Sequence, residues 1–128
     1  MIIVVDTADA PAALGPYSQA VVAGSLVFVS GQIGVVPETG LLIADDIEQQ
    51  IAQVFSNLAA IVAAVPATLN QVVKYTVYLT NLDDFTLVNQ WMQAHLEPPY
   101  PARACVEVAA LPKGALVEVD AVLSRADI

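Results

Sequence analysis

Arg103 is the residue whose type and setting most directly suggest ligand binding. It lies at the start of an otherwise apolar segment that follows the stiff, proline-rich residues 98–101. A guanidinium that is buried without an anionic partner is strongly destabilising, and its planar set of donors matches a carboxylate through two parallel hydrogen bonds. We therefore expect Arg103 to bind a carboxylate, which either a ligand or an internal salt bridge with Glu107 or Glu118 would supply.

Glu118 and Asp120 place two carboxyl groups on one side of a predicted strand. They alternate with Val117, Val119 and Ala121, so the two sets point to opposite faces of a sheet. A solvated outer face is the ordinary explanation of such a pattern. Alternatively, a carboxyl group in a partly desolvated pocket has a raised pKa, which suits acid–base catalysis.

Cys105 and His95 are the only cysteine and the only histidine in the chain. A thiol beside a base can act as a nucleophile, but His95 ends a predicted helix, where we expect it to be a C-terminal cap or a surface group. We therefore expect Cys105 to be a small packing residue. A structural zinc site is not expected, because such sites usually take four nitrogen or sulfur ligands.

Three further positions are candidates for contact with a ligand. Tyr17 follows a Gly-Pro turn, Gly31 interrupts a strand between Ser30 and Gln32, and Asn89 lies one residue away from the apolar stripe of a helix. A glycine inside a strand often marks a close approach of a ligand or of another chain segment. A turn, a bulge and a solvated amide would explain the same residues equally well.

The elements that must position these residues follow from hydrophobic periodicity. Strands are predicted at residues 2–5, 17–23, 26–32, 72–79, 102–108 and 116–123, with a two-residue hairpin turn at Gly24-Ser25. Helices are predicted after a cap at Asp45, ending before Pro66, and at residues 85–96. The order βββαβαββ predicts an α+β fold, with a mixed sheet and both helices on one face.

Composition excludes several classes of protein. The 128 residues are 57% hydrophobic and 13% charged, which fits a single folded domain over residues 1–128 rather than a disordered chain. The net charge of −9 disfavours binding to nucleic acid or to an acidic membrane surface. No apolar run reaches the ~18 residues of a membrane span and no signal peptide is evident, so we expect a cytoplasmic protein. The apolar excess in so short a chain suggests contact with other subunits.

Four motifs in register resemble the RidA (YjgF/YER057c-type) family over essentially the whole chain. They are Gly15-Pro16-Tyr17-Ser18-Gln19-Ala20, Val29-Ser30-Gly31-Gln32-Ile33, Asp84-Phe85 with Val88-Asn89, and Pro101-Ala102-Arg103-Ala104-Cys105-Val106-Glu107-Val108 followed by Leu111-Pro112-Lys113. The resemblance implies a chorismate-mutase-like fold and a homotrimer with sites between subunits. It also implies an enzyme that needs no cofactor and no metal. Such an enzyme hydrolyses reactive 2-enamine and 2-imino acids (2-aminoacrylate, 2-iminopropionate, 2-iminobutyrate) to 2-keto acids and ammonia.

The resemblance also implies residue roles. Arg103 would hold the substrate carboxylate, and Glu118 would activate the attacking water. The expected substrate-binding residues are Tyr17, Ser30, Gly31, Asn89, Arg103 and Cys105. Two alternatives remain open: a module that binds 2-keto acids or other small carboxylates without turnover, and a trimeric, chaperone-like interaction protein.

Overall fold

The computed structural model describes residues 2–125, which form one six-stranded sheet with two helices. The strands are β1 (Ile2–Val5), β2 (Ala20–Ala23), β3 (Leu26–Ile33), β4 (Val72–Leu79), β5 (Ala102–Glu107) and β6 (Val117–Ser124). The helices are α1 (Ile47–Ala63) and α2 (Phe85–His95). The order along the chain is βββαβαββ, which confirms the sequence prediction.

The sheet is mixed, with the spatial order β1-β2-β3-β6-β4-β5. Strands β4 and β5 pair in parallel, and all other neighbouring pairs are antiparallel. A parallel pair needs a crossover connection, and α2 supplies it between β4 and β5. The last strand, β6, lies between β3 and β4 in the centre of the sheet, whereas β5 is an edge strand.

Helix α1 follows the predicted apolar stripe, but its cap differs by one residue from the prediction. Asp46, not Asp45, accepts a hydrogen bond from the backbone N–H of Gln49 at 2.9 Å. Asp46 stands three residues before that N–H, which is the spacing that a capping side chain needs. The helix ends at Ala63, before Pro66, because the chain first passes through a turn closed by Ala67 N–H and the carbonyl of Val62.

Helix α2 packs on α1 through aromatic side chains. The Trp91 ring stacks on Phe55 at a centroid distance of 4.1 Å and on His95 at 4.2 Å. The Nδ1 atom of His95 lies 2.9 Å from the carbonyl oxygen of Trp91 in the last helical turn, as the expected C-terminal group would. Phe85, the first residue of this helix, is 40% exposed.

Strand β2 begins at Ala20, later than the predicted residue 17. The cause is Gln19, whose buried side chain accepts from the Thr7 N–H at 2.7 Å and donates to the carbonyl of Pro11 at 2.9 Å. These bonds hold the loop after β1 against the start of β2. The segment that contains Tyr17 is therefore a loop rather than a strand.

The two faces of the sheet differ in burial. Val117, Val119 and Ala121 are buried under the helices, whereas Glu118 and Asp120 lie on the other face. We call this second face the open face, because neither α1 nor α2 covers it. It also carries exposed apolar side chains, including Phe28 at 44% exposure and Val106 at 42%. None of the helices within residues 2–125 is long and apolar enough to span a bilayer.

Candidate functional site

Arg103 lies at the edge of the sheet, on the same face as the helices. It pairs with Tyr75 of β4, whose buried side chain points into the helix-covered core. One guanidinium nitrogen donates a hydrogen bond to Oδ1 of Asn89, and the same nitrogen lies 3.6 Å from the sulfur of Met92. Both partners belong to α2, so this helix fixes the orientation of the guanidinium.

The surroundings of Arg103 form a cavity of about 310 Å³, which we call the arginine cavity. It is lined by Asn89, Met92, Gln93, Tyr100, Pro101 and Arg103. The proline-rich residues 98–101 supply one wall, and α2 supplies the other. A ligand here would meet a cation that a side-chain amide already orients, which is the arrangement that a carboxylate requires.

The internal salt bridges considered for Arg103 do not form within residues 2–125. Glu107 instead accepts a hydrogen bond from the Leu82 N–H at 2.9 Å, and Glu118 lies on the open face. In a single protomer the Arg103 side chain is exposed. Its strand, β5, is an edge strand of the sheet formed by residues 2–125, where its one neighbour is β4. The burial of the guanidinium at a site between subunits stays a prediction.

Glu118 lies over Gly31 on the open face. A Cβ atom at Gly31 would overlap the Glu118 carboxylate and lie 2.9 Å from its Cδ atom. The pairing of β3 with β6 is also irregular between Val29 and Gln32. The glycine break that the sequence indicated is thus a bulge, and the group that approaches it is the Glu118 carboxyl group.

The environment of Glu118 favours its neutral form. Burial raises the pKa of the Glu118 carboxyl group, and the negative charge of Asp120 on the same face raises it further. Asp120 in turn accepts a hydrogen bond from the Tyr78 hydroxyl at 2.9 Å. This bond, followed by burial, raises the pKa of the Tyr78 hydroxyl above its usual value. A raised pKa makes a carboxyl group better suited to accept a proton and to return it during catalysis.

Glu118 opens into a second cavity of about 630 Å³, which we call the glutamate cavity. Its wall includes Tyr17, Ser30, Gly31 and Lys113, together with apolar residues. The apolar residues include Pro11, Leu14, Ile33, Val35, Pro37 and Pro112. Tyr17 is 53% exposed at this wall, so its ring is available to a ligand or to another subunit.

Ser30 has a structural partner already. Its hydroxyl donates to the carbonyl of Ser18 at 2.6 Å, and its N–H donates to the carbonyl of Gln19 at 2.9 Å. These bonds tie the loop of Tyr17 to the bulge of β3. Ser30 thereby holds the loop of Tyr17 beside the bulge of β3, and these two segments form two walls of the glutamate cavity.

Cys105 lines neither of these two cavities. It is half-buried and packs against the core, as expected for a packing residue. Burial raises the pKa of its thiol, and the nearby charge of Arg103 only partly opposes this effect. The thiol therefore has little thiolate character. No group of three or more His, Cys, Asp or Glu residues within residues 2–125 is arranged to hold a metal ion.

The two cavities lie on opposite faces of one sheet. Along β4, Arg103 stands opposite Tyr75 and Glu118 stands opposite Tyr78, and β4 lies between their two strands. Three residues along a strand and two strand spacings across it separate the two backbones by about 14 Å. Because the side chains also point in opposite directions, one protomer does not bring Arg103 and Glu118 to the same ligand.

Two buried amides support the glutamate cavity and were not singled out from the sequence. Asn57 donates to the carbonyls of Ile33 and Val35 at 3.2 and 2.9 Å. Gln50 accepts from the N–H of Leu116 at 2.8 Å, just before β6. Both amides lie on the buried side of α1. Their positions beside the apolar stripe of α1 could have indicated this role. An amide at such a position is buried, and a buried amide needs hydrogen-bond partners.

Comparisons with known proteins identify the family of this chain. Residues 7–124 match the family described as Endoribonuclease L-PSP. The human 2-iminobutanoate/2-iminopropanoate deaminase is 41% identical over 93% of this chain and 87% of its own length. The structure of RidA from the Antarctic bacterium Psychrobacter sp. is 49% identical, with a TM-score of 0.92 over 95% of this chain and 98% of that chain. The structure of E. coli TdcF with bound serine is 41% identical, with a TM-score of 0.88 over 97% of this chain and 99% of that chain. The protein therefore belongs to the RidA (YjgF/YER057c-type) family.

Proposed function

We propose that this protein is a 2-iminobutanoate/2-iminopropanoate deaminase, which hydrolyses reactive 2-enamine and 2-imino acids to 2-keto acids and ammonia. The observation that carries the proposal is the pairing state of Arg103. Its guanidinium is oriented by Asn89 and, within residues 2–125, is not paired with a carboxylate. A cation held in this way is ready to receive the carboxylate of a small substrate.

Arg103 contributes binding and orientation. Two parallel hydrogen bonds from the guanidinium to the substrate carboxylate fix the plane of the acid and the position of its C2 atom. Asn89 of α2 restrains the guanidinium before a ligand binds, so the arginine side chain loses little conformational freedom on binding. Holding the electrophilic carbon in one place removes part of the entropic barrier to the addition of water.

Glu118 contributes proton transfer. As water adds to C2 of the protonated imine, the ionised carboxylate accepts one proton from the water and a C–O bond forms. The neutral carboxyl group then returns this proton to the nitrogen. As the C–N bond breaks, the carboxylate takes up the remaining hydroxyl proton, so that the C=O bond of the 2-keto acid forms and ammonia leaves. The ammonia then takes this second proton from Glu118 and departs as ammonium, which restores the carboxylate. Such a cycle needs a carboxyl group with a raised pKa, as burial and Asp120 produce at Glu118.

Assembly would bring the two groups together. Since the arginine cavity and the glutamate cavity lie on opposite faces of one sheet, we propose that each site combines the arginine cavity of one protomer with the glutamate cavity of another. A closed homotrimer repeats this contact three times without leaving an unmatched surface. The exposed apolar side chains of the open face, such as Phe28 and Val106, favour contact with another subunit.

An RNA substrate fits the molecule poorly, although the family description names an endoribonuclease. The chain has 4 Lys and Arg residues against 13 Asp and Glu residues. Binding of nucleic acid depends on the neutralisation of phosphates by a basic surface. The excess of acidic residues therefore favours a small anionic substrate, bound at the single guanidinium of Arg103, over a polyanion such as RNA.

The proposal is tested with 2-iminopropionate and 2-iminobutyrate generated in place by an amino-acid oxidase. We expect the wild-type protein to accelerate ammonia release, and Arg103→Ala to lose this acceleration. Arg125→Ala is the matched control, because Arg125 is an exposed arginine that contacts only the turn carbonyls of Gly24 and Ser25 through the bonds seen here. Equal rates for wild type and Arg103→Ala would overturn the mechanism. Binding of 2-keto acids without any imine hydrolysis would favour the non-catalytic alternative.

A further inference from the structure

We infer that Tyr100 is a substrate-binding residue, whose hydroxyl group donates a hydrogen bond to the carboxylate that Arg103 holds. This inference rests on the proposed function and adds a binding residue to the same site. Tyr100 lines the arginine cavity together with Arg103, and its side chain is 49% exposed. Its hydroxyl group makes no hydrogen bond to another residue within residues 2–125. A phenol hydroxyl group is both a donor and an acceptor, so this one is available to an anion in the cavity.

The wall of the arginine cavity suits an anion. None of its lining residues, all within residues 2–125, is acidic, although the chain has 13 Asp and Glu residues. Met92 and Pro101 contribute apolar surface, beside which a hydrogen bond is electrostatically stronger than in water. The cavity volume of about 310 Å³ lies at the lower end of the range of about 300–1,000 Å³ that is usual for ligand pockets. A carboxylate bound to Arg103 is therefore close to the wall that residues 98–101 supply.

The donors around Arg103 leave one position of a bound carboxylate for the Tyr100 hydroxyl group. A carboxylate accepts hydrogen bonds at about four positions, and a guanidinium fills a pair of them. Asn89 accepts from Arg103 through Oδ1, so its NH2 group remains as a donor for a third position. The Tyr100 hydroxyl group completes the set.

The backbone around Tyr100 is restrained, so its side chain is placed before a ligand binds. Pro99 and Pro101 flank Tyr100, and a residue that precedes proline is largely limited to extended conformations. The Glu97 N–H donates to Oδ1 of Asn70 at 3.3 Å before this segment, and β5 pairs with β4 after it. A tyrosine side chain also has few rotatable bonds, so ordering it against a ligand costs little conformational entropy.

The first test measures the binding of 2-ketobutyrate, the product of 2-iminobutyrate hydrolysis, by isothermal titration calorimetry. We expect Tyr100→Phe, which keeps the ring, to raise the dissociation constant by about tenfold, because a hydrogen bond to a charged group is lost. Ser56→Ala is the matched control and should bind as the wild type does. It also removes an exposed hydroxyl group, but Ser56 belongs to α1 and lines neither of the two cavities. Equal dissociation constants for the wild type and Tyr100→Phe would overturn the inference.

Butyrate tests which group of the ligand the hydroxyl group contacts, because it keeps the carboxylate and lacks the 2-oxo group. We expect Tyr100→Phe to weaken the binding of butyrate and of 2-ketobutyrate by the same factor. A loss confined to 2-ketobutyrate would assign the hydroxyl group to the 2-oxo group and overturn the inference. A wild-type protein that binds neither acid would overturn both this inference and the proposed function.

Steady-state kinetics of 2-iminobutyrate hydrolysis separate binding from catalysis. The carboxylate is unchanged by the reaction, so a hydrogen bond to it stabilises the bound substrate and the transition state equally. We therefore expect Tyr100→Phe to raise KM by about tenfold and to leave kcat nearly unchanged. A lower kcat with an unchanged KM would overturn the binding role. A wild-type protein that binds both acids but hydrolyses no imine would overturn the proposed function, and the two binding measurements would then decide the role of Tyr100.

Discussion

Replacement of Gly31 by alanine tests the geometry around Glu118 most sharply. The added Cβ would overlap the carboxylate, and it would lie 2.9 and 3.1 Å from the Cδ and Cγ atoms of Glu118. Ordinary contacts between carbon atoms are about 3.5–4.0 Å. The carboxyl group must therefore move by about 1 Å or more from its place in the glutamate cavity.

The expected effects on stability and on activity differ greatly in size. The group that must move is the end of a flexible side chain, so an off-rotamer conformation should cost about 1 kcal/mol of unfolding free energy. A catalytic group that is misplaced by about 1 Å loses about 100-fold in rate. We therefore expect Gly31→Ala to fold with slightly reduced stability and to lose about 100-fold in kcat/KM for imine hydrolysis.

The assay combines ammonia release with urea unfolding at one fixed protein concentration, in a double-mutant cycle with Glu118→Ala. In the Glu118→Ala background the overlap is absent, so the stability cost of Gly31→Ala should disappear. It can even become a small gain, because alanine restricts the unfolded chain more than glycine does. Wild-type activity in Gly31→Ala, or the same stability cost in both backgrounds, would refute the reasoning.

Three further predictions concern binding, proton transfer and support of the site. Arg103→Ala should lower kcat/KM by about 100-fold. Arg103→Lys should recover only part of this loss, because a lysine side chain lacks the planar pair of donors. Full activity in Arg103→Ala would contradict the role of Arg103 in binding the carboxylate. Because Glu118 must be ionised to accept a proton, kcat/KM should fall as the pH falls through the raised pKa of this carboxyl group. Asp120→Asn removes a neighbouring negative charge, so the fall in kcat/KM should move to lower pH. A fall at the same pH in Asp120→Asn would contradict the cause given for the pKa shift. Asn57→Ala removes the amide that donates to the carbonyls of Ile33, at the end of β3, and of Val35. Urea unfolding should therefore show a free energy of unfolding that is lower by about 2 kcal/mol. An unchanged midpoint would contradict the support assigned to this residue.

The order and type of the elements could be predicted because local periodicity determines them. The alternation of Val117, Glu118 and Val119 correctly separated the two faces of β6. The glycine inside the Ser30-Gly31-Gln32 segment correctly marked a close approach, but its partner, Glu118, is distant in sequence and could not be identified from spacing alone. Contacts of this kind depend on which strands become neighbours.

The errors have the same origin. Two adjacent aspartates precede α1, and only the backbone geometry selects Asp46 over Asp45 as the cap. The start of β2 was predicted too early because the side chain of Gln19 binds the loop after β1.

The central claim is that each site takes Arg103 from one subunit and Glu118 from another. Its most direct test is co-expression of Arg103→Ala chains with Glu118→Gln chains, each of which should be inactive alone. If sites form between subunits, random mixing leaves about one quarter of them with both groups intact, and imine hydrolysis should return to about that fraction of the wild-type rate. If one chain supplied both groups, every site would carry a defect, and mixed assemblies with no activity would contradict the account.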